Sequence, residues 1–191
     1  MVLEDAAAAA PLAEALLAGG LRTVEVTFRT AAAEEAIRAM SAYPELHVGA
    51  GTALTPEQVD RAVGAGARFV VTPGFGPAVV ARCRERGVPV YPGVATATEI
   101  QMALDAGLDT VKFFPAEQLG GPAMVKALAA PFRSVRFIPT GGVSAATMRG
   151  YLDLPAVVAV GGSWMVTADL IAAGDWATIT RRTAEAVAAA A

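Results

Sequence analysis

Cysteine and histidine are almost absent from this chain: among 191 residues there is one of each, Cys83 and His47. A lone thiol closes no internal disulfide, and a lone imidazole makes no spaced set of metal ligands, so chemistry without a metal is expected. His47 reads as an ordinary polar residue near the start of a strand. Lysine is nearly missing too, with only Lys112 and Lys126 present. Positive charge is in deficit, 15 Lys plus Arg against 18 Asp plus Glu, for a net charge of −3. No overall field therefore draws nucleic acid. Arg82, Arg84 and Arg86 fall on one expected helix and read as a solvated face. Long apolar runs are lacking, although the hydrophobic fraction is 54% and the mean hydropathy +0.48. Much of that excess is alanine, and the Ala-rich stretch from Ala6 to Ala18 is interrupted by Pro11 and Glu14. Nothing in it reads as a membrane span. Met1-Val2-Leu3-Glu4-Asp5 has neither the basic nor the apolar region of a secretory signal. The expectation is a cytoplasmic chain, residues 1–191 as a single domain, with no nucleic-acid or membrane partner.

What is present is alternation. Short apolar runs fall at 21–27, 46–50, 67–72, 88–91, 110–114, 135–139 and 156–160. Helical patterns fill the gaps near 6–18, 31–42, 56–65, 77–86, 98–106, 122–129 and 145–152. Thr55-Pro56-Glu57 places a capping residue before a first-turn proline, and Gly76-Pro77 acts similarly. Glycines at Gly19-Gly20, Gly66, Gly87 and Gly107 stop helices ahead of the next strand. Strand–helix alternation implies a parallel sheet with helical crossovers, either open and doubly wound or closed as a barrel. No GxGxxG and no P-loop appear, which weakens the open nucleotide-binding form. Small or polar residues instead follow strand after strand: Gly51-Thr52, Pro73-Gly74, Lys112, Thr140-Gly141-Gly142 and Gly161-Gly162-Ser163. In a barrel all of these converge on one mouth. The expected fold is an α/β (β/α)8 TIM barrel whose first strand is a stub, Met1-Val2-Leu3.

Lys112 lies inside Thr110-Val111-Lys112-Phe113-Phe114-Pro115, an aromatic-rich core strand. If Val111 and Phe113 face helices, alternation turns Lys112 into the barrel. Burial lowers an amine's pKa toward the neutral nucleophile that attacks ketones, although an internal salt bridge explains the same lysine. Lys126 reads as solvent-facing. On the run Val24 to Arg29, period two puts Glu25, Thr27 and Arg29 on one face. Glu25 suits proton transfer and Arg29 suits a substrate carboxylate, unless the two simply pair with each other. The two glycine-rich turns follow the last two strands, where barrels commonly bind phosphate, though each is also compatible with a plain tight turn. Ser163 adds a hydroxyl donor.

Glu25-Val26-Thr27-Phe28-Arg29-Thr30, Val48-Gly49-Ala50-Gly51-Thr52, Lys112-Phe113-Phe114-Pro115-Ala116-Glu117, Pro139-Thr140-Gly141-Gly142 and Gly161-Gly162-Ser163-Trp164 together resemble the signature segments of 2-keto-3-deoxy-6-phosphogluconate (KDPG) aldolase. The family includes 4-hydroxy-2-oxoglutarate aldolase activity, and the likeness runs from about Val2 to the C-terminus. The resemblance implies a class I, Schiff-base aldolase, an aldehyde-lyase acting on a phosphorylated keto acid without cofactor and typically as a homotrimer. It further implies that Lys112 is the Schiff-base lysine and Glu25 the general acid/base. Arg29, Thr52, Pro73 and Phe114 would form the pyruvate pocket, and Thr140 would face the substrate hydroxyls. Gly141, Gly142, Gly162 and Ser163 would hold the phosphate. Two departures stand out. The first strand is shorter than the family's and is expected to leave sheet edges open. The loop Thr72-Pro73-Gly74-Phe75-Gly76 also differs from the family's usual serine-proline form, near enough the mouth to alter substrate preference. The 2-keto-3-deoxy-6-phosphogalactonate aldolase, a non-catalytic barrel kept or engineered as an assembly subunit, and another phosphate-binding barrel such as an isomerase are the alternatives.

Overall fold

A computed structural model describes all of Met1–Ala191. Its strands are β1 (Thr23–Thr27), β2 (His47–Gly51), β3 (Phe69–Val71), β4 (Val90–Tyr91), β5 (Gly93–Val94), β6 (Thr110–Phe113) and β7 (Arg136–Pro139). After a 3-10 turn at Ala6–Ala8 come α1 (Ala9–Ala18), α2 (Ala33–Met40), α3 (Pro56–Gly64), α4 (Pro77–Glu85), α5 (Ala97–Asp105), α6 (Gly121–Ala129) and α7 (Met148–Leu152), interleaved with the strands. Two helices close the chain, α8 (Ala168–Ala172) and α9 (Trp176–Ala190). All pairings are parallel, in the order β1-β2-β3-β4 and β5-β6-β7.

The break between the two sheets is local. β4 and β5 are one extended run interrupted by Pro92, which has no N–H to donate. Pro92 still accepts from Lys112 N–H at 2.9 Å, so the run pairs with β3 on one side and β6 on the other. The first segment is the expected stub. Met1 lies beside β1, its amino group donating to Glu25 O at 2.6 Å and its carbonyl accepting from Thr27 N–H at 3.0 Å. Leu3 is buried behind it. The last segment is less regular than the expected strand at 156–160. Only two bridges hold it, Phe137↔Val157 and Thr140↔Gly161. Between those bridges β7 advances three residues while the last segment advances four, and the extra residue interrupts the ladder.

Eight parallel segments thus stand in barrel order with helices outside. No backbone hydrogen bond joins the last segment to the first. At that seam Leu3 shares a hydrophobic cluster with Met165 and Val166. Val24 and Val26 belong to the same cluster, and Val111 and Phe113 to a second one under α5, α6 and α7. The inward faces of β1 and β6 are therefore left to Glu25 and Lys112.

Sequence pattern found the first seven helices, with α7 shorter than expected, but not α8 or α9. The latter is the longest helix in the chain, 15 residues, capped by Asp175 accepting from Thr178 N–H and packed on α1 through Thr180 Oγ1 to Ala15 O at 3.0 Å. The arginine trio is also more than a solvated face. Arg82 makes a two-pronged contact with Asp60 at 2.9 and 3.0 Å, tying α4 to α3. No helix is long and apolar enough to cross a membrane.

Candidate active site

Lys112 is 6% exposed, and its Nζ stands 3.8 Å from Glu25 Oε1, reached across the interior from the other sheet. The same nitrogen lies 4.8 Å from the centre of the Phe114 ring. Burial pushes the Lys112 ammonium pKa below the ordinary lysine value, and the facing Glu25 carboxylate opposes that shift without cancelling it. Both readings of Lys112 meet in this geometry: the amine is buried, and it faces Glu25 in one ion pair of 3.8 Å, longer than a hydrogen bond.

Strand β2 makes the space for Glu25. Its partner across the ladder is Gly49, and Gly51 follows two residues on. A Cβ on Gly51 would stand 1.8 Å from Glu25 Oε1, so only glycine leaves room for the carboxylate. Thr52, the next residue, has φ +57°, an unfavourable conformation for a β-branched side chain and one that recurs where a fold sets up a site. Pro73 leaves β3 and places its carbonyl over Gly93, the residue paired with Lys112; a Cβ there would meet that oxygen at 2.1 Å. Pro73, Phe114, Thr52 and the Glu25–Lys112 pair are thus borne by strand ends at one mouth.

Arg29 lies just past the strand: β1 ends at Thr27, and Arg29 N–H bonds back to Thr27 O at 2.8 Å in a turn. Arg29 is exposed and pairs with no carboxylate; in particular it does not pair with Glu25.

The glycine loops carry the clearest anion chemistry. Gly141 and Gly142 have φ +99° and +78°, and the loops are joined through the Thr140↔Gly161 bridge. The N–H groups of Gly141, Gly142, Gly162 and Ser163 bond to no acceptor in the protein. Unpaired amides on two adjoining loops are what an anion can satisfy. Thr140 Oγ1 makes only a 3.3 Å contact, to Ile138 O. Three residues near these groups carried no role in the sequence reading: Gly51, Glu117 and Tyr151. A glycine within a strand was the available signal for the first.

Known proteins resemble this chain in sequence and fold. The family model "KDPG and KHG aldolase" matches residues 1–182. The 2-dehydro-3-deoxy-phosphogluconate aldolase of Treponema pallidum is 54% identical over 181 residues, 94% of this chain and 86% of that one. The KDPG aldolase of Zymomonas mobilis ZM4, solved with 3-phosphoglycerate, superposes with a TM-score of 0.92 at 45% identity, over 97% of this chain and 88% of that one. The Legionella pneumophila enzyme, with pyruvate captured at low pH as a covalent carbinolamine intermediate, gives 0.93 at 40% identity, over 96% and 90%. With a family match spanning nearly the whole chain and a relative sharing more than half its residues, the chain belongs to the KDPG and KHG aldolase family.

Proposed function

We propose that this chain cleaves 2-keto-3-deoxy-6-phosphogluconate to pyruvate and glyceraldehyde 3-phosphate through a Schiff base on Lys112. The observation that carries the reading is the desolvated Lys112 amine held 3.8 Å from the Glu25 carboxylate inside the barrel mouth. The neutral amine attacks the C2 ketone, and loss of water gives an iminium ion. That ion accepts the electrons of the C3–C4 bond as Glu25, through a bridging water, removes the C4 hydroxyl proton. Glyceraldehyde 3-phosphate leaves, and the enamine remains on Lys112. Glu25 returns the proton to C3, and hydrolysis releases pyruvate and restores the amine.

Positioning falls to the rest of the mouth. Arg29, whose guanidinium has no ion-pair partner in the chain, and Thr52 hold the pyruvate carboxylate, with Pro73 and Phe114 as the pocket walls. Thr140 faces the hydroxylated carbons. The free amides of Gly141, Gly142, Gly162 and Ser163, with the Ser163 hydroxyl, take the phosphate. Neither metal nor organic cofactor has a part in the scheme. A cytoplasmic homotrimer is the setting implied by the family resemblance, and light scattering on the purified chain tests the assembly.

The deciding experiment incubates the protein with pyruvate, reduces it with borohydride and maps the product by peptide mass spectrometry. A pyruvyl adduct on Lys112 is expected. A folded protein without one refutes the scheme and leaves the non-catalytic scaffold in its place. Comparing rates on the gluconate and galactonate epimers then fixes which sugar acid is read.

A further inference from the structure

Glu117 has no part in the scheme above, yet it grips the loop to which the scheme assigns phosphate. Its N–H donates to Gly141 O at 3.1 Å, and that of Ala116 to Thr140 O at 2.8 Å. Its methylenes lie against Gly142, where a Cβ would meet Glu117 Cγ at 2.7 Å and Cβ at 2.8 Å. The carboxylate turns away from the glycine: Tyr151 Oη donates to Glu117 Oε1 at 2.7 Å. Tyr151 is fully buried on α7, the helix that follows the glycine loop. Burial together with this bond raises the Tyr151 pKa, so the hydroxyl stays a donor throughout the neutral range. Left-handed backbone at Gly141 and Gly142 has no ladder to hold it, and without support the loop's amides would sample many directions.

We infer that Glu117 and Tyr151 are positioning residues for phosphate recognition: Tyr151 anchors the Glu117 carboxylate, and the Glu117 backbone and methylenes fix the amides of Gly141 and Gly142. The inference rests on the proposed phosphate role of those glycines. The apolar part of Glu117 faces the loop while its charge is directed to the tyrosine, so the side chain shapes an anion site without opposing the anion at contact range.

The test compares a phosphorylated with an unphosphorylated substrate. Tyr151→Phe and Glu117→Ala are expected to raise KM for 2-keto-3-deoxy-6-phosphogluconate by about fivefold or more, the equivalent of about 1 kcal/mol. Their kcat should stay within about twofold, and both constants for 4-hydroxy-2-oxoglutarate should hold within about twofold. Glu117→Gln, whose amide oxygen still accepts from Tyr151, should recover most of the lost affinity. Borohydride trapping of pyruvate on Lys112 is run on every protein. If the wild-type chain forms no adduct, the aldolase reading falls and this inference with it. If the adduct forms but the two substrates respond alike, or neither responds, the positioning role alone is overturned. Tyr151→Phe changes one hydroxyl, and Glu117→Gln keeps the shape of its side chain, so the comparison does not depend on the alanine variant folding.

Discussion

Replacing Gly51 by alanine should separate the two halves of the proposed chemistry. The added Cβ would stand 1.8 Å from Glu25 Oε1 and 2.6 Å from Cδ. Ordinary contact needs about 3.5 Å, so the carboxylate must retreat by about 1.7 Å. Glu25 is a flexible side chain at an open mouth and can swing aside, whereas Lys112 sits on a different strand and need not move. Misplacement of a reacting group by about 1 Å can cost about a hundredfold in rate. The expected result is a kcat for 2-keto-3-deoxy-6-phosphogluconate cleavage lower by about two orders of magnitude. Pyruvate should still form its adduct on Lys112. Gly51 has no positive φ, so alanine meets no backbone penalty there, and stability should change by about 1 kcal/mol or less. Cleavage is followed by coupling pyruvate release to lactate dehydrogenase, and stability by urea denaturation. A folded Gly51→Ala protein that retained full kcat would show that Glu25 does not work from the position it occupies here.

Three further outcomes follow from the same geometry. Lys112→Arg keeps the charge but lacks the nucleophilic amine; it should form no borohydride-trapped adduct and lose several orders of magnitude in kcat, read in the same coupled assay. Because burial lowers the Lys112 pKa from 10.5, adduct formation at low pyruvate should rise with pH and level off below 10.5. In the same interval the folded chain binds fewer protons than the unfolded one, so the Lys112 contribution to stability becomes more favourable as pH rises; a Lys112→Met chain should lose both trends. Leu3→Ala removes a side chain 1% exposed at the barrel seam and should cost about 2–5 kcal/mol in urea denaturation. A cost near zero would mean that the first segment does not close the core.

The sequence betrayed Lys112 because it breaks a rule: a lysine between valine and phenylalanine in a core strand contradicts burial unless the amine has work there. Glu25 broke the same rule on β1, and strand alternation was enough to face the two inward. Alternation carried no sign that β1 ends at Thr27, where a turn closed by Arg29 N–H to Thr27 O takes over. It also overstated the last segment, since an inserted residue between two bridges shows only once β7 lies alongside. The helix α9 escaped notice because alanine makes its buried and exposed faces look alike, and Ile179 and Thr183 alone mark the inner one. The Tyr151–Glu117 contact joins residues 34 apart, and neither motif nor spacing announces it.

No backbone hydrogen bond joins the last segment to the first, so the barrel's ladder is open at that one seam. Glu25 stands on β1, one segment from the seam, and Lys112 faces it across the interior from β6. The reactive pair exists only while the open edge keeps its place, and a small opening there would part the groups before the core admitted water. Turnover should therefore fail at lower denaturant than the loss of secondary structure, making the enzyme's own reaction the finest gauge of how that edge is seated.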